Sequence, residues 1–142
     1  MRAAIDALGS LPATQLVLRS RLYESAPLGG AAQPDYCNAV AALLTRLAPG
    51  DLLAQLRGLE QRLGREPAAQ RWAARVIDLD LLAMGDQQVA SQALQLPHPG
   101  IAERAFVLFP WRELAPGFRV PGLGTVESLA ARLPPGAAAV LA

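Results

Sequence analysis

Two segments near the start of the chain alternate or are rich in apolar residues, which predicts β-strands. From Leu16 to Tyr23 successive residues alternate between two faces, with Arg19 and Arg21 on one of them. A second apolar run, from Tyr36 to Leu47, is rich in Ala, Val and Leu. The stretch from Ala26 to Pro34 between them holds several Pro and Gly residues and is predicted to be a loop. Long loops in small domains are often functional.

Helical spacing predicts two helices in the first half of the chain. Residues 2 to 8 read as a helix with Ile5 and Leu8 on one face, and no capping residue precedes it. We therefore expect the sequence to begin inside a helix. Leucines recur at helical spacing from Leu52 to Leu63, and Gly64 ends that pattern.

The second half of the chain mixes strand, turn and helix signals. Val76 to Leu82 alternates regularly and predicts a third strand, and residues 87 to 96 predict a short strand or hairpin arm. Residues 97 to 100 form a predicted turn, and residues 116 to 124 a loop with one short strand. A helix is predicted from Ile101 until Pro110 interrupts it. Thr125 is predicted to cap a last helix that runs to about residue 133.

This order of elements is typical of an α+β sandwich, in which helices cover one face of a mainly antiparallel sheet. With 142 residues, of which 52% are hydrophobic, the chain can bury one core, so we expect a single domain over residues 1–142. A net charge of +1 without a basic run argues against nucleic-acid partners or an anionic membrane surface.

The chain is predicted to be soluble and cytoplasmic. No stretch approaches the roughly 18 uninterrupted apolar residues that a membrane span requires. The first residues lack the apolar run of a signal peptide, and the single Cys37 cannot form an internal disulfide. Packing as a small apolar group and contact with a ligand both remain open for Cys37.

Asp78 and Asp80 are the first candidates for chemistry. On a strand they would share one face, while Ile77 and Leu79 would project to the other. Two carboxylates in one small space favour a divalent cation, and Mg²⁺ suits them because it takes its remaining ligands from water and substrate phosphates. The alternative is an edge strand whose outer face is solvated.

Arginines near these aspartates indicate phosphate binding. Arg65, Arg71 and Arg75 precede them, and Arg104 follows the only histidine, His98. Guanidinium groups match phosphate oxygens in bidentate geometry, so the sequence predicts magnesium-dependent transfer of a phosphoryl-type group from ATP. Taken alone, each arginine is more often a surface charge, and His98 is more often a structural turn residue than a catalytic one.

Several stretches, in their order and spacing, resemble one enzyme family, and the resemblance spans nearly the whole chain. The stretches are residues 23–40, Glu60 with Gly64 and Arg65, Arg71 and Trp72 with residues 75–80, residues 96–98, residues 104–106 and residues 114–116. The family is 6-hydroxymethyl-7,8-dihydropterin pyrophosphokinase of folate biosynthesis. The resemblance implies a ferredoxin-like α+β fold that transfers the β,γ-pyrophosphate of ATP to the pterin hydroxymethyl group and releases AMP. The implied partners are these small molecules, and the implied state is a monomer or weak dimer.

The resemblance also implies a set of site residues. Asp78 and Asp80 would bind two magnesium ions bridging the triphosphate, and would act in catalysis with Arg65 and Arg75. The implied ATP-binding residues are Glu60, Arg65, Trp72, Arg75, His98 and Arg104. The implied pterin-binding residues are Ser25, Ala26, Leu28, Tyr36, Asn38 and Phe106.

Within that set, Tyr36 and Phe106 would stack on the two faces of the pterin ring, and Asn38 would hydrogen-bond its polar edge. The loops at residues 26–34 and 65–74 would close over the substrates and exclude water. Trp72 would then lie on a lid, although the residue could also belong to a small satellite core.

The sequence departs from the family in three places. The family's usual first strand and its Gly-Ser-Asn turn are absent, so we expect two unpaired strand edges, an exposed groove and a tendency to aggregate. Residues 66–69 (Glu-Pro-Ala-Ala) stand where the family offers more positive charge, and the loss of a phosphate contact there would slow turnover. Ala73 and Ala74 replace a Gly-Pro pair, which changes the backbone freedom of the lid.

These departures leave three hypotheses. The favoured one is an active pyrophosphokinase. The second is a non-catalytic or truncated paralogue that keeps nucleotide and metal binding and acts as a binding module. The third, a ferredoxin-like regulatory domain for a small metabolite, leaves Asp78, Asp80, His98 and Arg104 without a role.

Overall fold

The computed structural model describes residues 1–25, 36–64 and 77–141. Its helices are α1 (Arg2–Leu8), α2 (Pro49–Leu63), α3 (Ala105–Leu114) and α4 (Val126–Ala131), with a turn of 3-10 helix at Ile101–Glu103. Its strands are β1 (Thr14–Arg19), β2 (Tyr23–Ser25), β3 (Tyr36–Asn38), β4 (Ala41–Thr45), β5 (Val89–Ala90), β6 (Gln95–Leu96), β7 (Arg119–Val120), β8 (Gly124–Thr125) and β9 (Ala139–Val140).

Every strand pairing among the described residues is antiparallel. Strand β1 pairs with β4, and β2 lies between β3 and β9 in a separate sheet. The hairpins β5–β6 and β7–β8 complete the set. Helices together with antiparallel strands confirm the α+β class and accord with the ferredoxin-like fold that the resemblance implies. Residues 87–96, which were predicted as a short strand or one hairpin arm, contain both arms of the β5–β6 hairpin.

The two strands predicted near the start of the chain each break in the middle, so their predicted extents are wrong. Residues 16–23 are divided between β1 and β2, and residues 36–47 between β3 and β4. The breaks lie side by side, because the Ser20 amide donates to the Val40 carbonyl at 2.8 Å and the Val40 amide donates to the Ser20 hydroxyl at 2.9 Å. At this pair of residues both chain segments cross between the β1–β4 sheet and the sheet that contains β2 and β3.

The third predicted strand, Val76 to Leu82, is wrong over its described part. Val76 lies outside the described residues, and residues 77–84 form neither strand nor helix. Their backbone is bonded to other partners. The Leu79 amide and carbonyl form hydrogen bonds with side chains of α2. The Leu82 carbonyl accepts a hydrogen bond from the His98 amide at 2.8 Å.

Helix α3 contradicts the prediction that Pro110 interrupts the helix. The helix runs from Ala105 to Leu114 with Pro110 inside it. Proline supplies no N–H to the preceding turn, which normally destabilises a helix by about 3 kcal/mol. Here Leu108, Phe109, Pro110 and Trp111 are all buried, and this packing offsets the lost hydrogen bond.

The helices that depend on local signals agree with prediction. Helices α1 and α2 occupy the predicted segments. Thr125 caps α4 by accepting a hydrogen bond from the Ser128 amide at 3.1 Å, as predicted. The helix ends at Ala131, slightly before the predicted residue 133.

A charged contact ties β2 to α3. The Glu113 carboxylate accepts hydrogen bonds from the Arg21 amide and side chain, both at 2.8 Å, and from the Tyr23 hydroxyl at 2.9 Å. Burial alone would raise the pKa of the Glu113 carboxyl. The hydrogen bonds from Arg21 and Tyr23 lower this pKa by more than burial raises it, so it lies below its ordinary value. The ionised carboxylate therefore stabilises this junction.

Buried apolar residues form two clusters. The first cluster surrounds α3 and α4 and includes Ile101, Leu108, Val126 and Leu129. The second cluster lies under α1 and α2 and consists of Leu8, Leu11, Leu52, Leu56 and Leu59. No helix of the described chain is long and apolar enough to cross a membrane.

A cavity of about 1750 Å³, the central cavity, has walls from both clusters. Strand β4 forms part of one wall and residues 77–87 part of another. The groove between two unpaired strand edges stays a prediction, because the central cavity lies between β4 and residues 77–87 and the latter are not a strand.

Candidate functional site

The central cavity gathers five of the predicted site residues. They are Asn38, Asp78, Asp80, Arg104 and Phe106. Five others lie outside the described residues: Ala26, Leu28, Arg65, Trp72 and Arg75. For Tyr36 the structure describes the backbone and not the side chain. The loops predicted as lids, at residues 26–34 and 65–74, also lie outside the described residues.

Asp78 and Asp80 are exposed at the wall of the central cavity. Their apolar neighbours turn inward, since Ile77 is buried and both Leu79 and Leu81 pack against the second cluster. The predicted alternation is therefore seen in the burial of these side chains, although the segment is not a strand and residues 77–81 all line the central cavity.

The backbone between the two aspartates is held by side chains of α2. Glu60 Oε2 accepts from the Leu79 amide at 2.7 Å, and an Arg57 guanidinium nitrogen donates to the Leu79 carbonyl at 2.8 Å. The same nitrogen donates to Glu60 Oε1 at 3.0 Å. Sequence reasoning missed Arg57, whose spacing of three from Glu60 on a helix was the available signal.

The carboxylates suit a magnesium ion bound with its substrate. Within the described ranges, no group of three or more His, Cys, Asp or Glu side chains could hold a metal by itself. Structural zinc sites need about four such ligands, whereas Mg²⁺ binds through one or two carboxylates and completes its shell with water and phosphate oxygens. The donor set of Asp78 and Asp80 therefore fits Mg²⁺.

Arg104 and Phe106 bring a cation and an aromatic ring to the cavity. Arg104 directly precedes α3, and its guanidinium carbon lies 5.9 Å from the centroid of the Phe106 ring. Gly100, with φ of 84°, leaves room for this side chain, because a Cβ there would lie 3.2 Å from Arg104 Nε. The pair offers a positive charge and a flat apolar face at one wall.

Asn38 is oriented by Ser25. The Asn38 amide nitrogen donates to the Ser25 hydroxyl at 3.1 Å across the β2–β3 pair. Ser25 is buried and is not part of the cavity wall, so in this structure it holds the amide that faces the cavity. Cys37, the neighbour of Asn38, lies half-buried in the same wall.

His98 is not brought into the central cavity. It borders a smaller cavity of about 290 Å³ with Gly100, Glu103 and Gly122. Its Nδ1 lies 2.7 Å from the Pro99 carbonyl oxygen, which can only accept, so Nδ1 carries the proton. The His98 backbone nevertheless touches the site segment through its bond to Leu82.

Comparison with known proteins decides the family. Residues 1–116 match the model of the 7,8-dihydro-6-hydroxymethylpterin-pyrophosphokinase family. The chain belongs to this family. The resemblance of the sequence to the pyrophosphokinase family is thereby confirmed.

Relatives of this pyrophosphokinase family support the assignment. A 2-amino-4-hydroxy-6-hydroxymethyldihydropteridine pyrophosphokinase of Pseudomonas aeruginosa is 48% identical over 132 residues, covering 92% of this chain and 81% of the relative. The protein of the same name from Methylorubrum extorquens is 39% identical over 136 residues, covering 96% and 85%. A folate synthesis bifunctional protein of Arabidopsis thaliana is 40% identical over 95 residues, covering 67% of this chain and 20% of the relative.

Proposed function

We propose that this chain transfers pyrophosphate from ATP to 6-hydroxymethyl-7,8-dihydropterin and releases AMP, a step of folate biosynthesis. It is a transferase of the pyrophosphokinase family. The observation that carries the proposal is the convergence of Asp78, Asp80, Asn38, Arg104 and Phe106 on one cavity. A metal-binding pair, a phosphate-binding cation, an aromatic face and an amide are the groups this reaction needs.

Asp78 and Asp80 would hold the magnesium in this proposal, which takes two ions for each bound ATP. Magnesium bound there would neutralise phosphate oxygens and stabilise the charge that develops during transfer. The exposed positions of both carboxylates leave space for water and phosphate ligands.

The nucleotide phosphates are bound by arginines. Arg104 lies in the cavity wall. Arg65 and Arg75, which are outside the described residues, would supply the other phosphate contacts in this proposal. Bidentate guanidinium contacts orient phosphate oxygens and stabilise the growing negative charge on the leaving AMP. Trp72 and His98 complete the proposed ATP-binding set, and Glu60, which the resemblance also implies, would act through the backbone that carries the two aspartates.

The pterin binds at the wall formed by Asn38 and Phe106. Stacking of the ring between Phe106 and Tyr36 contributes about 0.5–1.5 kcal/mol beyond burial. Asn38, held by Ser25, hydrogen-bonds the polar ring edge, and the chain around Ala26 and Leu28 completes the pocket.

The reaction itself is an in-line displacement. The hydroxymethyl oxygen forms a bond to the β-phosphorus while the bond from that phosphorus to the α,β-bridging oxygen breaks. AMP departs with the bridging oxygen and its electron pair, and the hydroxyl proton passes to solvent. The protein contributes positioning and charge stabilisation rather than covalent chemistry.

The test is AMP release from ATP by the purified 142-residue chain, with and without Mg²⁺ and the pterin. We expect AMP formation to require both, and the Asp78→Asn, Asp80→Asn double variant to lose about 100-fold or more. The matched control is Asp51→Asn, at an exposed position of α2, and this variant should retain activity. AMP formation that ignores the pterin, or survives in the double variant, would contradict the proposal.

A second candidate is a binding module without turnover. The observation favouring it is the large cavity between β4 and residues 77–87, since catalysis needs groups held more closely than binding does. Calorimetric binding of a non-hydrolysable ATP analogue and the pterin, without any AMP formation, would select this candidate.

The setting of the proposed reaction is a single domain over residues 1–142, in the cytoplasm, as a monomer or weak dimer. The β1–β4 sheet exposes three apolar side chains, those of Val17, Leu18 and Leu44. These exposed residues allow weak association. Sedimentation velocity over a range of protein concentrations tests the oligomeric state.

A further inference from the structure

We propose that Arg57 and Glu60 are positioning residues that clamp the backbone of Leu79 and thereby fix where Asp78 and Asp80 present their carboxylates to the metal. This inference rests on the proposed function. It assigns Glu60 a role through the aspartates, where the family resemblance implies contact with ATP, and it adds Arg57, which that resemblance does not single out.

The clamp grips both peptide groups that join the two aspartates. The Leu79 N–H belongs to the peptide from Asp78, and Glu60 accepts from it at 2.7 Å. The Leu79 carbonyl belongs to the peptide leading to Asp80, and Arg57 donates to it at 2.8 Å. The Cα atom of each aspartate therefore belongs to a peptide group that α2 holds in place.

The two clamp residues also hold each other. The Arg57 guanidinium and the Glu60 carboxylate form an ion pair at 3.0 Å, which closes a ring of three hydrogen bonds through Leu79. The Glu60 side chain is only 16% exposed, against 49% for Arg57. Hydrogen bonds to charged groups are stronger than neutral ones, and shielding from water strengthens them further.

The site segment needs such support. Residues 77–84 form no strand or helix, so over these described residues no sheet ladder fixes the peptide orientation. Helix α2 is a firm base, because Leu52, Leu56 and Leu59 bury one of its faces in the second cluster. Leu79 packs its own side chain against that cluster, so both its backbone and its side chain are held.

A positioning role and a direct ATP contact predict different losses. Partners that orient metal ligands typically change metal affinity by about 10- to 100-fold when removed. Loss of a direct contact would weaken nucleotide binding even without metal. The clamp therefore predicts a defect in metal binding that excess metal partly restores.

The experiment measures Mn²⁺ binding to the full chain by electron paramagnetic resonance, with α,β-methylene-ATP present because the bond that breaks is blocked in it. Variants are Arg57→Ala and Glu60→Ala, with Arg57→Lys and Glu60→Gln as conservative partners. The controls are Arg62→Ala and Gln61→Ala, two exposed neighbours on α2. Binding of the analogue without metal and hydrogen exchange of the Leu79 amide are measured on the same proteins.

We expect both alanine variants to raise the Mn²⁺ dissociation constant about 10-fold or more, with near-normal analogue binding without metal. Exchange of the Leu79 amide should be faster in Glu60→Ala. Arg57→Lys should recover most of the affinity, and Glu60→Gln part of it, because one acceptor oxygen remains. If an alanine variant fails to fold, Glu60→Gln carries the test, and wild-type Mn²⁺ affinity together with wild-type exchange of the Leu79 amide in that variant would overturn the proposal.

Mn²⁺ affinity within about two-fold of wild type in folded Arg57→Ala and Glu60→Ala would overturn the clamp. So would a loss of metal-free analogue binding in Glu60→Ala at unchanged Mn²⁺ affinity, which would assign a direct contact. A wild-type chain that forms no AMP but binds Mn²⁺, and loses that binding in the alanine variants, would keep the clamp and overturn the proposed reaction.

Discussion

The two apolar clusters on either side of the central cavity differ in how completely they close. Among the residues that the structure describes, two of the twelve buried members of the first cluster line the cavity, whereas three of the five in the second do. Leu108 and Val126 in the first cluster are fully buried, at 0% exposure. The first cluster supplies most of the closed packing, while the second combines packing with support of the cavity wall that carries Asp78 and Asp80.

The largest expected effect breaks this comparison through stability. Leu108→Ala leaves a void in a closed core and should lower the free energy of unfolding by about 2–5 kcal/mol. Leu56→Ala, at the cavity wall, should cost near or below the lower end of that range, because its neighbours can relax into existing space. Urea denaturation measures both, and equal losses would show that the second cluster is as closed as the first.

Two arginine–phenylalanine pairs near α3 sharpen the comparison through activity. Arg104 lies over Phe106 at the cavity, and Arg112 lies over Phe109, 4.7 Å from its ring centroid. Arg104→Ala should lower kcat/KM for ATP by about 10- to 100-fold, since a phosphate contact is lost. Arg112→Ala should keep the activity and lose about 0.5–1 kcal/mol of stability. Steady-state kinetics with both variants decide the point, and an active Arg104→Ala would remove this residue from the site.

The smallest effect concerns pH and the junction of β2 with α3. Because the pKa of Glu113 is lowered in the folded protein, its carboxylate stabilises the fold above the ordinary glutamate pKa of about 4.3. This contribution is lost as the pH falls through the folded-state value. Glu113→Gln should therefore lower the free energy of unfolding near neutral pH by at most about 1 kcal/mol, because the charged pair is largely exposed to solvent, and this difference should shrink as the pH falls below the ordinary glutamate pKa.

The control for that prediction is Glu103→Gln, at an exposed position. Its free energy of unfolding should follow the wild-type pH dependence. If Glu113→Gln also follows it, the hydrogen bonds from Arg21 and Tyr23 do not couple Glu113 ionisation to stability.

Local signals explain what the sequence predicts well. The leucine spacing of α2 and the Thr125 cap depend on neighbouring residues, and both are confirmed. The alternation around Asp78 and Asp80 likewise predicted which side chains are exposed and which are buried or half-buried.

Long-range contacts explain the failures. Burial of Pro110 among distant partners keeps α3 continuous, and the pairing of Ser20 with Val40 breaks two predicted strands. Arg57 was missed because its partner is a backbone carbonyl, that of Leu79, and a carbonyl leaves no mark on the sequence. The place of His98 depends on the turn at residues 97–100, whose position relative to the cavity is a tertiary property.

The most direct test of the account pairs activity with stability in the Asp78→Asn, Asp80→Asn double variant. The cavity wall carries these exposed carboxylates for chemistry rather than packing, so we predict loss of magnesium- and pterin-dependent AMP formation at an unfolding free energy within about 0.5 kcal/mol of wild type. AMP formation retained by the folded variant, or its loss only through unfolding, would contradict the account.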